Sequence, residues 1–483
     1  MSLRFMLKGQ AMRNFDQNYI DGAFVAVTGD EVVDIVDPAT EAVVGQARLA
    51  HRDDARRAVE AAMRAQPAFG RTSVAERVAM LERLQAAMLA HAEDLLEATI
   101  TEYGGPVARA QWVANYASQC FGDAARALPS YAFERRVGAS TVVMAPVGVS
   151  GLFAPWNSTA GTMASKLAAA IAAGCATVIK PSELSPWQAH IVARAIHAAD
   201  LPPGVVNIVT GRGVDVGAEI GTHPGVAKLS FTGSTPTGKL IARGAVDTMK
   251  RVSLALTGKS ASLLLDDADL DVALPLALAA AFMNSGQACV AGTRLLVPRA
   301  RMPEVVRRIR SAVAAMRVGD PRDPATTIGP MVSRAQYERV QHFIRRGLDQ
   351  GATLIAGGEG RPDGRDRGWF VRPTVFADVR NDMDIAREEI FGPVLSVLPV
   401  DSEDEAITVA NDSPYGLQAY VFSADADRAR RVASQLEAGT VLINRVAPDL
   451  LAPFGGVKQS GVGREFGVMG MEAFLEPKTI TTA

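Results

Sequence analysis

The segment 284–293 holds a lone cysteine, Cys289, among small and amide side chains, directly after an apolar segment at 272–283. Cysteine attacks carbon only as the thiolate, and the attack needs free space and hydrogen-bond donors around the sulfur. The small neighbours provide that space. Because an isolated cysteine is more often a buried structural residue, the other motifs of the chain must decide between a nucleophile and an inert thiol.

A second candidate group is a side-chain amide, Asn157, which follows Pro155-Trp156 just after a predicted strand at 149–153. A carboxamide N–H can stabilise an oxyanion on a carbonyl carbon, together with a backbone N–H at the nucleophile. Asparagine is also common in turns, so this residue alone does not establish a site.

Two further segments suit a dinucleotide. Gly233-Ser234-Thr235-Pro236-Thr237-Gly238 follows a predicted strand and opens a helix, where glycines and free amides favour a phosphate. It lacks the GxGxxG pattern, so an ordinary turn fits equally well. Lys180-Pro181-Ser182-Glu183 ends another strand, and its lysine and carboxylate can bind the hydroxyls of an adenosine ribose. A carboxylate there repels a 2′-phosphate, which favours NAD over NADP. A solvated charged turn is the alternative.

The elements around these residues alternate between strand and helix. Strands are predicted at 149–153, 176–180, 205–209 and 227–231, with helices at 160–173, 186–199, 214–221 and 237–246. This alternation predicts a parallel sheet with helical crossovers, which binds ligands at the carboxyl ends of its strands. Asn157, Lys180 and Ser234 all fall at such ends.

A second α/β region follows, with strands predicted at 261–265, 294–297, 374–376, 394–398 and 440–443 and helices at 301–316 and 334–350. The fold class is therefore α/β. Before the first sheet, short strands are expected at 18–50 and an alanine-rich helical segment at 52–91, broken at Pro67 and Gly70. A hairpin is predicted at 131–144 and a terminal strand at 479–482.

Composition narrows the function. The chain has 483 residues, a formal net charge of -2 and 48% hydrophobic residues, as expected for a multidomain globular protein. The sequence has no excess of basic residues that would indicate a nucleic-acid partner. It also has no apolar run long enough to predict a membrane span. Segment 1–17 lacks the apolar core of a signal peptide. Cys120, Cys175 and Cys289 are too widely spaced for a metal site or a disulfide framework, so we expect no metal and a cytoplasmic location.

Together, the motifs resemble the aldehyde dehydrogenase superfamily, in the family's order and over nearly the whole chain. The motifs that carry this resemblance are Pro155-Trp156-Asn157, Lys180-Pro181-Ser182-Glu183, Phe231-Thr232-Gly233-Ser234, Gly286-Gln287-Ala288-Cys289, Glu389-Ile390-Phe391-Gly392-Pro393 and the glycine-rich segment 453–461.

The resemblance implies a role for each matching residue. Cys289 would attack the aldehyde, with Asn157 and the Cys289 amide as the oxyanion hole. The thiohemiacetal would give hydride to the nicotinamide and leave a thioester. The remaining implied roles are Lys180 and Glu183 at the adenosine ribose, Ser234 at the pyrophosphate, Glu389 and Phe391 at the nicotinamide ribose and ring, Trp156, Ser182 and Gly233 as further cofactor-binding residues, and Lys166 with Glu465 as a proton relay.

The resemblance also implies a domain plan. Segments 1–127 and 146–255 would form a Rossmann-like NAD-binding domain, and 256–454 an α/β catalytic domain. Segments 128–145 and 468–483 would form a β-hairpin oligomerisation element. Such hairpins pair across subunits, so a homodimer or homotetramer is expected, with a small-molecule aldehyde as the substrate.

One motif departs from the family. Ala255-Leu256-Thr257-Gly258-Lys259 stands where the family usually carries Glu-Leu-Gly-Gly-Lys. In hydrolytic members that glutamate activates the water that cleaves the thioester, and a general base is typically worth about 10²–10⁴-fold. Thr257 also replaces a glycine near the nicotinamide end of the site.

Several interpretations of Ala255 remain open. Glu465 or Glu389 could activate water instead, or the acyl group could pass to coenzyme A, although the residues before Cys289 resemble hydrolytic members. The alanine could also be an engineered change, or the chain could bind NAD with little turnover. A different hypothesis is a structural oligomer with an inert Cys289, no more reactive than Cys120 or Cys175.

The family positions predict a roomy, largely apolar substrate tunnel near 156–160, Val290 and 444–451, suited to medium aliphatic or aromatic aldehydes. Arg445 and Asp449 offer charged alternatives. Without a carboxylate at residue 255, we expect the rate to rise into alkaline pH.

Overall fold

The computed structural model describes residues 12–482. Its strands, in chain order, are β1 (Arg13–Phe15), β2 (Gln17–Ile20), β3 (Ala23–Ala26), β4 (Val32–Asp37), β5 (Ala42–Arg48), β6 (Glu134–Val137), β7 (Ser140–Pro146), β8 (Ser150–Phe153), β9 (Thr177–Lys180), β10 (Val206–Ile208), β11 (Lys228–Thr232), β12 (Arg251–Ala255), β13 (Ala261–Leu264), β14 (Arg294–Pro298), β15 (Thr353–Ala356), β16 (Thr374–Ala377), β17 (Val394–Val400), β18 (Tyr415–Gly416), β19 (Gln418–Phe422), β20 (Thr440–Ile443), β21 (Val457–Lys458), β22 (Gly461–Val462) and β23 (Leu475–Thr481).

The α-helices are α1 (Arg52–Phe69), α2 (Val74–Ala90), α3 (Ala92–Ala98), α4 (Val107–Ala127), α5 (Thr159–Ala173), α6 (Pro186–Ala198), α7 (Ala218–Thr222), α8 (Thr235–Val246), α9 (Leu270–Phe282), α10 (Met302–Ala314), α11 (Arg334–Asp349), α12 (Asp384–Arg387), α13 (Glu403–Asn411), α14 (Ala426–Ala433) and α15 (Gly467–Glu472).

The first large sheet has the strand order β22-β12-β11-β8-β9-β10-β2-β3. Its central strands β12, β11, β8, β9 and β10 are parallel, which confirms the predicted α/β class. The register pairs Phe153 with Lys180 and Thr232 with Ala255. The carboxyl ends of four strands therefore meet at one edge, where the candidate residues follow.

Both borders of this sheet come from distant parts of the chain. β2 and β3 add antiparallel strands at one side, and the short β22 pairs antiparallel with β12 at the other. Local sequence patterns did not predict these additions. The pairing of Gly461 with Ala255 brings the glycine-rich tail to the end of the strand that carries the departure from the family motif.

The second large sheet has the order β15-β16-β17-β14-β13-β19-β20, parallel except for β15. Apolar side chains alternate between its two faces, so Leu263 and Leu296 enter one core and Leu264 and Leu295 enter the other. Helix α9 is apolar except for Asp271, packs one face in the second core and leads directly to the Cys289 loop.

The predicted hairpin at 131–144 is present as β6 and β7. β7 also pairs with β23 along its full length, so a three-stranded sheet joins the hairpin to the chain end. β6 is exposed along its length, and β23 is exposed over most of it. Segment 1–11 and Ala483 lie outside the described residues, and the proposed domain limits stay a prediction.

The expected helix break at Pro67 is wrong, because α1 continues through Pro67 to Phe69. The proline lies in the last turn, where it interrupts little of the helix, and the helix ends at Gly70. Within residues 12–482, no helix has both the length and the apolar character needed to cross a membrane.

Candidate active site

Cys289 lies in a loop that leaves α9 through a left-handed turn. Asn284, Ser285 and Gly286 have φ angles of 53°, 57° and 76°. A Cβ atom on Gly286 would lie 2.1 Å from the carbonyl oxygen of Gly392, so this close approach requires glycine. The turn holds the cysteine loop against the segment that contains Glu389 and its neighbours.

The buried side chain of Gln287 fixes the same loop. Its Nε2 donates to the Tyr103 hydroxyl at 3.2 Å and to the Pro330 carbonyl at 3.3 Å. Its Oε1 accepts from the Val332 backbone N–H at 3.0 Å. A satisfied buried amide that bonds three separate segments restricts how far the loop can move.

Asn157, in the short turn between β8 and α5, faces the loop. Its Nδ2 donates to the Gln287 carbonyl at 2.9 Å, and Asn284 Nδ2 donates to the Asn157 carbonyl at 3.3 Å. The structure thus brings the predicted oxyanion donor within two residues of the predicted nucleophile. The Asn157 amide has a second N–H that can serve a substrate oxygen.

The electrostatic surroundings of Cys289 favour the neutral thiol. Burial raises the pKa of Cys289 to about 12, and the Glu389 and Glu465 carboxylates act in the same direction. The backbone N–H groups of Cys289 and Val290 act in the opposite direction, since they stabilise the thiolate. A reactive thiolate therefore needs a further positive charge or a proton acceptor beside it.

Glu389 lies in the same cleft as Cys289 and accepts from the Gly258 backbone N–H at 3.0 Å. Burial raises the pKa of Glu389 to about 7, although the Gly258 bond and the Arg339 and Lys259 charges oppose the rise. A carboxyl group with this pKa can act as a general base near neutral pH.

The side chain of Phe391 lies against Trp156, with the ring centroids 5.2 Å apart and the rings edge to face. Gln336 Nε2 donates to the Phe391 carbonyl at 2.8 Å and holds this segment in place. Both predicted aromatic cofactor contacts therefore lie in one wall of the cleft.

Ala255 ends β12 and lines the cleft together with Cys289 and Glu389. Its neighbour Thr257 replaces a family glycine and uses its hydroxyl to accept from the Thr235 backbone N–H at 3.2 Å. The position of the missing carboxylate therefore faces the nucleophile, whereas the threonine satisfies the first amide of α8.

The start of α8 suits the phosphate and nicotinamide portions of a dinucleotide. Ser234 is the N-cap, and its exposed hydroxyl lies 2.9 Å from the Thr237 hydroxyl. Thr232 Oγ1, which borders the cleft beside Gly233, is buried without a hydrogen-bond partner. An unsatisfied buried hydroxyl at a strand end indicates a polar ligand, so the residues present fit the predicted cofactor.

Lys180 and Glu183 meet at the end of β9. Lys180 Nζ donates to the Pro181 carbonyl at 2.9 Å and lies 3.4 Å from Glu183 Oε2. Glu183 Oε1 also lies 3.6 Å from Arg212 Nη1. The sequence analysis did not predict Arg212 as a site residue. Ser182 Oγ accepts from the Leu184 backbone N–H at 3.2 Å and stabilises the turn.

Lys166 and Glu465, the predicted relay pair, form an ion pair with the Lys166 Nζ atom 2.5 Å from Glu465 Oε1. Lys166 also donates to Ser230 Oγ at 2.9 Å. Burial lowers the pKa of Lys166, and Glu465 opposes that change. The pair joins α5 to the tail through a buried contact near the cleft.

The predicted substrate-tunnel residues lie in separate places: Trp156 and Asn157 line the cleft with Cys289, whereas no residue of segment 444–451 is among its lining residues. Leu450 and Leu451 line an apolar cavity with Tyr116 and Phe466. Among residues 12–482, the side chains of the exposed Arg445 and Asp449 bond only within their own segment. Arg445 Nε donates to the Ala447 carbonyl, and Asp449 Oδ1 accepts from the Leu451 backbone N–H. Within residues 12–482, no cluster of His, Cys, Asp and Glu could hold a metal ion.

Sequence reasoning missed Arg109 at the start of α4. Its Nη2 donates to the Asn157 carbonyl at 3.3 Å, and its guanidinium lies over the Trp112 ring at 4.4 Å. A basic residue in an otherwise apolar first helical turn, after Gly104-Gly105-Pro106, is the signal that could have identified it.

Comparisons with known proteins agree with this geometry. The profile of the aldehyde dehydrogenase family matches residues 24–480. A 3-succinoylsemialdehyde-pyridine dehydrogenase from a Pseudomonas species is 45% identical, over 97% of this chain and 99% of that protein. A putative aldehyde dehydrogenase from Staphylococcus saprophyticus is 44% identical, over 97% and 99% respectively.

Solved structures give the same result. A cysteine variant of aldehyde dehydrogenase C from Pseudomonas syringae, in complex with NAD+ and octanal, has a TM-score of 0.95 and 42% identity, covering 96% of each chain. An aldehyde dehydrogenase from Mycobacterium tuberculosis, in complex with NAD+, has a TM-score of 0.94 and 36% identity, covering 98% of this chain and 99% of that one.

Proposed function

The chain belongs to the aldehyde dehydrogenase family, and from that premise we propose that it oxidises an aldehyde to a carboxylic acid through a thioester on Cys289, with NAD as hydride acceptor. One observation carries the proposal. A single cleft of about 1120 Å³, including its opening to solvent, is lined by Cys289, Asn157, Glu389 and the start of α8.

The first step joins Cys289 Sγ to the aldehyde carbon. The aldehyde oxygen takes the electron pair and becomes an oxyanion, which the Asn157 amide and the Cys289 backbone N–H would stabilise. The thiol proton must leave, and Glu389 is a carboxylate of the same cleft that would accept it. NAD, when bound, supplies a positive charge beside the thiolate and an acceptor for hydride.

Loss of hydride from the thiohemiacetal restores the carbonyl and leaves a thioester on Cys289. Phe391 and Trp156 form the cleft wall where the nicotinamide would lie, and Glu389 would hold its ribose. These residues orient the acceptor and exclude water while the thioester forms.

Hydrolysis of the thioester needs a base other than residue 255. We assign this task to Glu389, because its pKa is raised to about 7 and it lies in the cleft with Cys289. Glu465 is the weaker candidate, since its carboxylate is held by the Lys166 ammonium. Glu389 would therefore hold the ribose first and activate water after hydride transfer.

The preference for NAD over NADP rests on Glu183. Its carboxylate sits beside Lys180, where the adenosine ribose is expected, and a 2′-phosphate would be repelled by it. Arg212 lies on the other side of the same carboxylate and reduces that repulsion. We therefore expect NAD to be preferred and NADP to be used weakly.

The test is NADH formation with NAD and an aldehyde panel, with and without coenzyme A, together with the intact mass of the protein. Steady turnover without coenzyme A supports hydrolysis. One NADH per site followed by a stalled acyl adduct on Cys289 would show that no group replaces the glutamate. Release of that adduct by coenzyme A would favour the acylating alternative. No NADH and no adduct would contradict the proposed oxidation.

We also propose a homo-oligomer in a reducing compartment such as the cytoplasm. β6 and β23 border a small sheet with exposed outer edges, and free strand edges pair readily with another chain. All three cysteines are free thiols, as expected where disulfides do not form. The molar mass in solution, measured by light scattering, tests the oligomer.

A further inference from the structure

We propose that Arg109 determines substrate choice by binding an oxygen acceptor, either a carboxylate or a ketone, that the aldehyde carries a few bonds from its reacting carbon. This inference rests on the proposed function, because it concerns the substrate of the same site. It adds a cation to the largely apolar substrate tunnel that the sequence predicts.

The guanidinium has few partners. Among residues 12–482, the only side-chain hydrogen bond of Arg109 goes to the Asn157 carbonyl at 3.3 Å, although guanidinium has five N–H groups. Its Nε is buried without an acceptor. No carboxylate in that part of the chain pairs with it, whereas most other arginines near the surface do have such pairs.

The surroundings of Arg109 make this state costly. Trp112 covers one face of the guanidinium at 4.4 Å, and burial lowers the pKa of Arg109, with Tyr103, Tyr116 and Cys289 as the groups that oppose the change. Withdrawing a cation from water without an acceptor costs free energy. A ligand with an acceptor oxygen would recover that free energy on binding.

Arg109 is also placed to reach a substrate. It lines a groove of about 1540 Å³, including its open mouth, whose walls come from α9, α10, the segment 324–328 and the residues that lead into the cysteine loop. The charged groups at the outer part of this groove, Asp271 and Arg308, pair with each other. Asn157 links Arg109 to the cysteine loop, since its carbonyl accepts from Arg109 and its amide donates to the Gln287 carbonyl.

The chemistry of guanidinium defines the ligand class. Its planar array of donors suits a carboxylate in a two-point contact and a ketone in a one-point contact. A site built to hydrogen-bond an oxygen discriminates strongly against an analogue that lacks it, because the buried donors then remain unpaired. An alkanal of equal length should therefore be the poorer substrate.

The test compares pentanal, 4-oxobutanoate and 4-oxopentanal as substrates of the wild type and of Arg109→Gln, Arg109→Lys and Arg308→Gln. The measured quantity is the ratio of kcat/KM for the better oxygen-bearing aldehyde to kcat/KM for pentanal. We expect Arg109→Gln to lower this ratio about 10- to 100-fold, mainly by raising the KM of the oxygen-bearing aldehyde. Arg109→Lys should recover part of that ratio. Arg308→Gln, the matched control in the same groove, should leave it unchanged.

The two oxygen-bearing substrates show which acceptor Arg109 binds. 4-Oxobutanoate carries a carboxylate and 4-oxopentanal carries a ketone, whereas pentanal carries neither. An equal fall in kcat for all three aldehydes would overturn the proposal and would make Arg109 a positioning residue for Asn157. A wild type that prefers pentanal to both others would overturn it too. Failure of the proposed oxidation is distinct, because it would abolish NADH formation with every aldehyde.

Discussion

The cysteine loop and the end of β12 both line the cleft, but they differ in the functional groups that they contribute to it. The loop is held by a close glycine contact at Gly286, by the buried amide of Gln287 and by Asn157. The end of β12 presents only the methyl group of Ala255, where the family usually carries a carboxylate. The groups that we propose form the thioester are all present, whereas the carboxylate that the family usually carries at residue 255 is absent.

The difference indicates that the two half-reactions can be changed separately. In the proposed mechanism, formation of the thioester depends on contacts within the cysteine loop, so its rate should respond to substitutions there. Cleavage depends on whichever carboxylate reaches the acyl carbon, so its rate should respond to the charges around Ala255 and Glu389. A burst of NADH reports the first step, and steady turnover reports the slower one.

The largest expected effect is on the loop side. Cys289→Ala should abolish NADH formation and acyl-adduct formation, a loss of about 10⁴-fold or more, because no other group can form the thioester. Intact mass after mixing with NAD and aldehyde checks the adduct. Cys175→Ala, which removes a core thiol far from the cleft, is the control. A variant at residue 289 that kept its activity would refute the covalent mechanism.

Asn157→Ala should lower the burst rate about 10²–10³-fold, the usual loss for one oxyanion donor. The measurement is rapid-mixing absorbance of NADH. Since Asn157 also accepts from Arg109 and Asn284, circular dichroism and thermal unfolding should accompany it. An unchanged burst in a folded variant would show that the Cys289 backbone amide stabilises the oxyanion alone.

Much of the fold could be predicted because its signals are local. The strand at 176–180 and the helix at 160–173 were each predicted within one residue of their observed bounds, since apolar runs alternate with glycine and proline there. β19 was missed because its residues follow a loop rich in turn formers. β2 and β22 belong to the first sheet because Tyr19 pairs with Ile208 and Gly461 pairs with Ala255. A local sequence pattern cannot predict pairings between residues so far apart in the chain.

The site was predictable where a motif fixes both residue type and position, as for Cys289 and Asn157. It was not predictable where a contact depends on the fold. Asn284 and Ser285 adopt left-handed backbone angles that their side chains do not indicate. Arg109 lies on a helix 180 residues before Cys289, and only the packing of α4 against the site brings it near. Arg212 reaches Glu183 in the same way.

Ala255→Glu tests the other side of the comparison. The restored carboxylate should raise steady turnover about 10- to 100-fold and leave the burst rate nearly unchanged, since it acts on water after the thioester has formed. Ala255→Gln, similar in shape but uncharged, should give no rise. If the wild type shows no burst, cleavage is not the slow step, and the proposed contrast between the two regions is wrong.

The pH dependence should show the substitute base. Turnover needs ionised Glu389, whose pKa is raised to about 7, so the rate should rise about 10-fold between pH 6 and pH 9. The high pKa of the Cys289 thiol acts in the same direction, because more thiolate forms as pH rises. Glu389→Gln should remove the step near pH 7. A flat profile would contradict both assignments.

The smallest expected effect concerns the cofactor. Glu183→Gln removes the carboxylate that faces the ribose and leaves Lys180 and Arg212 beside a 2′-phosphate. The ratio of kcat/KM for NADP to that for NAD should therefore rise about 5-fold, since one partly exposed charge contributes about 1 kcal/mol.

Glu31→Gln is the matched control, because Glu31 pairs with Arg212 at 2.7 Å through a different guanidinium nitrogen from the one nearest Glu183. It should change the cofactor ratio much less, although it removes the same charge from the same arginine. Equal shifts in the two variants would mean that the net charge around Arg212, rather than the position of the Glu183 carboxylate, sets the cofactor preference. That result would weaken the assignment of the adenosine ribose to the end of β9, and it would leave the assignments at Cys289 and Ala255 intact.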